Sequence, residues 1–159
     1  MKISMSCCIQ PWANFSRHLE AIGGYIPQLG LRLFLAYEFW LAGVEKYSGT
    51  NWFADIQSEF PFPFNLIAPE ISWQLATWFE LIGAAALVLG LATRFFSLSL
   101  IVLTIVAWAA VHAGNGYNVS DNGYKLPLMY LLMFIPLLFN GAGKASMDHF
   151  IWKRISLGS

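Results

Sequence analysis

The sequence predicts an all-α integral membrane protein: a bundle of four transmembrane helices preceded by a short N-terminal interfacial helix. Three observations carry that prediction. Of 159 residues, 57% are hydrophobic and only 11% charged, whereas globular domains hold about 45–50% apolar and about 25% charged residues. Mean hydropathy is +0.56. Four separate stretches approach the roughly 20 apolar residues that the hydrocarbon core demands of a helix. The same numbers exclude other classes. Nine acids against nine bases give no net charge, which argues against a nucleic-acid partner, and so apolar a chain is not disordered. The two cysteines, Cys7 and Cys8, are adjacent and suit neither an intramolecular bridge nor a metal pair.

Residues 1–26 form an N-terminal segment. Pro11, Asn14, Arg17, His18 and Glu20 interrupt any signal-peptide core. Residues 12–24, WANFSRHLEAIGG, read as an amphipathic helix at the interface, ended by Gly23-Gly24, with a soluble linker as the alternative. Cys7-Cys8 are either acylation sites or reduced thiols, the second being the simpler reading.

The transmembrane domain occupies residues 27–140. Its spans are 27–47, 72–92, 95–113 and 125–140, the last short and carrying Pro127 and Pro136, which predicts a kinked, packed helix. The loop 48–71 is rich in aromatics and proline (Trp52, Phe53, Phe60-Pro61-Phe62-Pro63-Phe64), so it is expected to lie on the bundle or dip into the interface. Residues 141–159 are a C-terminal tail. With four spans, Lys2, Arg17, Arg94, Lys144, Lys153 and Arg154 share one side, against Lys46 and Lys125 on the other. The positive-inside rule then places both termini in the cytoplasm of a multi-pass protein.

Ionisable groups inside a span need a partner or a task. Arg32 and Glu38 lie in the first span, Glu80 in the second, and His112 near the outer end of the third. By depth, Glu38, Glu80, His112 and Lys46 can meet in a polar pocket open to the outer face, with Trp108 as an aromatic wall. Arg32 and Glu38 are six apart, face different ways, and so need partners on other helices. Small residues after Glu80 (Gly83, Ala84, Gly90) allow close helix approach and turn Glu80 inward. The competing reading is that Glu–Arg or Glu–Lys pairs only fix helix register. On the cytoplasmic side, Thr93 is expected to cap the third helix and Arg94 to anchor to headgroups or pair with an acid, an Arg94–Asp148 pair tying down the C-terminal segment being the structural form of the second.

Several chemistries lack their motif. No CxxC borders a span, His18 and His149 lie outside the spans and leave no bis-imidazole haem site, and GAGKAS lacks the spacing of a phosphate-binding loop. No metal site and no intrinsic cofactor are expected.

Four features together have a familiar order: RLFLAYEFWLAGVEKY; E-x-x-G-x(6)-G-x-x-T-R from Glu80 to Arg94; VAWAAVHAGNGY; and GAGKASMD. In them the chain resembles the DoxX family of small four-helix bacterial membrane proteins, over residues 29–148. Residue by residue, the pattern touches Arg32, Lys46, Glu80, Thr93, Arg94, His112 and Asp148, while Glu38 is singled out by depth alone. The resemblance implies location in the bacterial inner membrane. Some relatives are linked to membrane oxidoreductase complexes and oxidative-stress resistance, and the family name derives from a subunit of a thiosulfate:quinone oxidoreductase. The extended loop looks like that of a subgroup found beside genes for modified metal-binding peptides, and the wider superfamily includes membrane chaperones and cargo receptors. Two functions therefore stand side by side. One is an accessory subunit of a quinone-linked redox system, with a bound quinone or lipid in the pocket. The other is a non-enzymatic assembly, export or cargo-handling protein. Both expect the bilayer and a protein partner or second copy as surroundings; transport is a weaker third, since four spans show no repeat. No residue has an assured catalytic role.

Overall fold

Helix boundaries follow the prolines and glycines. The computed structural model describes residues 6–157; Lys2 and the side chains of Cys7 and Cys8 lie outside the described residues. Helix α1 (Ser6–Gly23) starts earlier than the expected 12–24 and passes through Pro11, ending at Gly23 as expected. Helix α2 (Ile26–Ser48) and helix α3 (Pro69–Leu89) each carry proline in the first turn, where a missing N–H costs nothing. Helix α4 (Thr93–Ala107) continues into a π-helical turn over Trp108–His112. In helix α5 (Lys125–Asn140), Pro127 falls in the first turn and only Pro136 interrupts the ladder. Helix α6 (Met147–Leu157) forms inside the segment read as a tail. The described residues contain no strand.

Helix α2 packs along α3, α3 against α4, α4 along α5, and α5 closes back on α2. The centre of this ring is Leu35, Phe39, Leu87, Leu100, Phe134 and Leu137, all buried. Gly43 lets α2 come close to α3: a methyl group there would meet the Leu81 side chain at 2.8 Å. The outside of the ring is apolar, with Leu33, Trp40, Ile82, Leu98, Leu132 and Phe139 exposed.

Of the four expected spans, α3 and the stretch Thr93–His112 are long and apolar enough to cross a membrane by length and composition. Helix α2 carries Arg32, Glu38, Glu45 and Lys46, and α5 is only 16 residues long. These are the physical reasons the other two fall short.

The loop 49–68 folds onto the bundle. Short 3-10 turns at Phe53–Glu59 and Phe64–Leu66 bring Phe53 edge-on to Trp73 at 5.0 Å and to Phe60 at 5.1 Å. Gln57 ties it by donating to the carbonyls of Asn65 and Ile67 at 3.3 and 3.2 Å. Phe60 and Trp73 end up buried.

Candidate functional site

The polar side chains separate into two groups at opposite ends of the bundle. At one end, Lys46 on α2 reaches across to Glu80 on α3, with its ammonium 3.0 and 2.9 Å from the two carboxylate oxygens. It is the only ion pair among the described residues. Glu80 is 7% exposed. The inward turn of Glu80 follows from its place on the face of α3 that also buries Thr77, Gly83, Ala84 and Leu87. An ammonium has three donors; Glu80 takes two, and one remains for a further acceptor.

His112 closes the same site from the π-helical turn. Its Nδ1 lies 2.7 Å from the Asn122 carbonyl oxygen. A carbonyl can only accept, so Nδ1 carries the hydrogen, and in the neutral ring Nε2 is the acceptor. Glu38 joins through Tyr130 on α5, whose hydroxyl donates to Glu38 Oε2 at 2.7 Å.

Two adjoining cavities share Lys46, Glu80, Leu103, Ala107 and His112. One, of about 320 Å³, is walled by Trp52, Phe53, Phe60 and Phe64 from the folded loop. The other, of about 370 Å³, extends to Glu38, Glu45, Thr104 and Tyr130. Both volumes sit in the lower part of the range for small-molecule sites. Ser72 borders the aromatic cavity with a buried hydroxyl that has no protein partner.

Four of the five expected pocket residues thus meet: Glu38, Lys46, Glu80 and His112. Trp108 does not. It stacks on Tyr124 at 5.1 Å and 10° and borders neither cavity. Within the π-helical turn the Trp108 ring packs on Tyr124 while His112 reaches the Asn122 carbonyl. The sequence reading missed Tyr130, Ser72 and the loop phenylalanines as site components. A lone tyrosine hydroxyl inside an apolar helix was the available signal for Tyr130.

At the other end, Arg32, Arg94 and Asp148 are structural, but not as the expected ion pairs. Arg32 is buried and donates to the carbonyls of Ala142 and Ala145 at 3.0 and 2.8 Å. Arg94 donates to the Phe139 carbonyl at 3.0 Å, so the predicted Arg94–Asp148 pair does not form. Asp148 instead accepts from the backbone N–H groups of Ala92 and Thr93 at 2.7 and 2.9 Å. It thereby caps α4 from a distant helix, the task expected of Thr93, whose hydroxyl is buried without a partner. Gly90, at φ +65°, makes the preceding turn, and its carbonyl accepts from the Asp148 N–H at 2.9 Å. Ser146 caps α6 by accepting from the His149 N–H at 3.2 Å. The glycine, threonine-arginine and GAGKASMD signatures therefore build one clasp, distinct from the cavities.

No group of three His, Cys, Asp or Glu side chains among the described residues is placed to hold a metal ion.

The DoxX family model matches residues 28–113, which ends before α5 and the GAGKASMD segment. Two proteins of Haemophilus influenzae, each described only as an uncharacterized protein, are similar to this chain. One is 52% identical over 135 residues, covering 85% of this chain and 89% of its own length. The other is 31% identical over 130 residues, covering 78% and 90%. No solved structure matches.

Proposed function

Given that the chain belongs to the DoxX family of membrane-associated proteins, we propose that it is a four-span inner-membrane protein that binds a quinone-type headgroup as an accessory subunit of a redox system. The single observation that carries this reading is the pair of half-buried Lys46 and buried Glu80 beside His112 at the junction of two cavities. A hydroquinone has hydroxyls to donate and a quinone has carbonyls to accept. Lys46 has one ammonium proton left for a carbonyl oxygen, and the His112 ring, with Nδ1 donating to Asn122, offers Nε2 as its second polar atom toward a hydroxyl. Phe53, Phe60 and Phe64 supply flat apolar walls for the ring. The chain's part is binding and proton handling; a partner protein carries the electrons.

Four spans rather than two are supported by the distribution of polarity. Helix α2 keeps Arg32 buried and Glu38 half-buried while exposing Leu33, Trp40 and Leu41, the reverse of a water-facing helix. The charge bias of the loops supports an orientation with both termini in the cytoplasm and the Lys46–Glu80 cavities toward the outer face.

A second reading, a protein that handles an assembly or cargo partner, draws on Phe62 and Leu66, which stay exposed on the loop. The loop aromatics Phe53, Phe60 and Phe64 turn to the cavity and Phe53 packs on Trp73 of α3, and this favours the ligand-binding reading. Native mass spectrometry of the membrane-extracted protein tests it: a retained quinone is expected, and preparations that carry only a protein partner and never a quinone would overturn it.

A further inference from the structure

A larger cavity of about 850 Å³ lies at the clasp end, between α6, the start of α4 and the 140–146 turn. Its walls differ in kind. Arg94 and Lys144 give it two cations, and Phe95 of α4 with Ile151, Trp152 and Ile155 of α6 give it apolar surface. Asp148 is the only carboxylate on its lining, and both of its oxygens are taken by the Ala92 and Thr93 N–H groups. Arg94 spends one N–H on the Phe139 carbonyl and keeps the rest of its five donors. Lys144 has its ammonium 5.4 Å from the Tyr25 ring centre and no carboxylate partner among the described residues.

Ile151, Trp152 and Ile155 are 42, 74 and 65% exposed and share a face of α6, so the helix is held at its start by Asp148 and Ser146 while its apolar face is left uncovered. Helix α1 repeats the pattern with Trp12, Phe15, Leu19 and Ile22. The residue after α1 is tied to the turn before α6, where the Lys144 N–H donates to the Gly24 carbonyl at 2.9 Å. Both are built as helices that lie in a membrane interface.

We propose that this cavity docks an anionic phospholipid of the bilayer, its phosphate held by Arg94 and Lys144 and its acyl chains laid along Phe95, Ile151, Trp152 and Ile155. The pairing of two cations with a long apolar wall is what selects an amphiphile. A free phosphate would leave the apolar wall bare. A zwitterionic lipid would bring its ammonium against Arg94 and Lys144, where the one carboxylate is already committed to the α4 backbone. A net negative headgroup meets the two cations, while the one carboxylate of the lining, Asp148, is engaged by the Ala92 and Thr93 N–H groups.

The test uses the full-length protein in detergent, titrated with phosphatidylglycerol, phosphatidylcholine or inorganic phosphate, with thermal unfolding and native mass spectrometry as readouts. Phosphatidylglycerol is expected to bind and raise the unfolding temperature, and phosphatidylcholine and phosphate to do neither. Lys144→Gln removes no hydrogen bond of the fold and weakens phosphatidylglycerol binding about fivefold; adding Arg94→Gln weakens it about twentyfold. Lys153→Gln with Arg154→Gln, outside the cavity, leaves binding within about twofold of wild type. Equal affinity for the two lipids, or wild-type affinity in Lys144→Gln, overturns the proposal. So does an equal loss in the Lys153/Arg154 variant, which would mean diffuse surface charge, or equal stabilisation by phosphate, which would mean a free-anion site.

Discussion

Lys46 and Glu80 neutralise each other where neither is cheap to bury, so each single substitution strands a charge. Lys46→Met leaves Glu80 in the bundle without its cation and is expected to destabilise by about 3 kcal/mol or more. The double variant Lys46→Met with Glu80→Leu strands nothing and is expected to return within about 1 kcal/mol of wild type while failing to bind ligand. Unfolding in detergent, followed alongside ligand titration, checks both; a double variant that still binds would separate the pair from the site. Glu38, Lys46, Glu80 and His112 were legible in the sequence because ionisable groups in apolar stretches carry a large transfer cost. Their pairing was not, because it depends on helix rotation. Ser72 and Tyr130 escaped notice since hydroxyls are common in membrane helices and cost little to place. Trp108 borders neither cavity because its ring is stacked on Tyr124, a contact that the spacing within WAAVH does not announce.

Among the elements, the clasp is where sequence and structure part most instructively. The signatures around Thr93-Arg94 and Asp148 implied that the two segments are joined, and they are, but by a carboxylate on backbone amides and not by an ion pair. Side-chain charge patterns invite the ion-pair reading; orphan N–H groups at a helix start are invisible in a residue list. Asp148→Ala is expected to cost about 1–2 kcal/mol through the lost cap, and Arg94→Gln about 1 kcal/mol. Their coupling in a double-mutant cycle is expected to stay within about 0.5 kcal/mol. A coupling well above that would restore the Arg94–Asp148 pair. Helix α6 was read as tail because its eleven residues are too few for a span and mix Asp148, His149, Lys153 and Arg154 with its apolar positions.

At the scale of the molecule, apolar residues face outward around the ring while Arg32, Glu80 and half-buried Glu38 face inward. Composition made that inversion legible, and the loop basic residues predict its direction across the membrane. A phosphatase reporter fused within residues 115–122 is expected to be active outside the cytoplasm and one after Ser159 inactive; the opposite pattern reverses the topology. The central claim is that the Lys46–Glu80–His112 cavities hold a quinone-type headgroup. Equilibrium titration of the purified protein with a short-chain quinol tests it most directly. Saturable binding, weakened at least about tenfold by His112→Ala in a variant that unfolds at the wild-type temperature, is the predicted result. Absence of saturation in the wild type, or unchanged binding in His112→Ala, contradicts it.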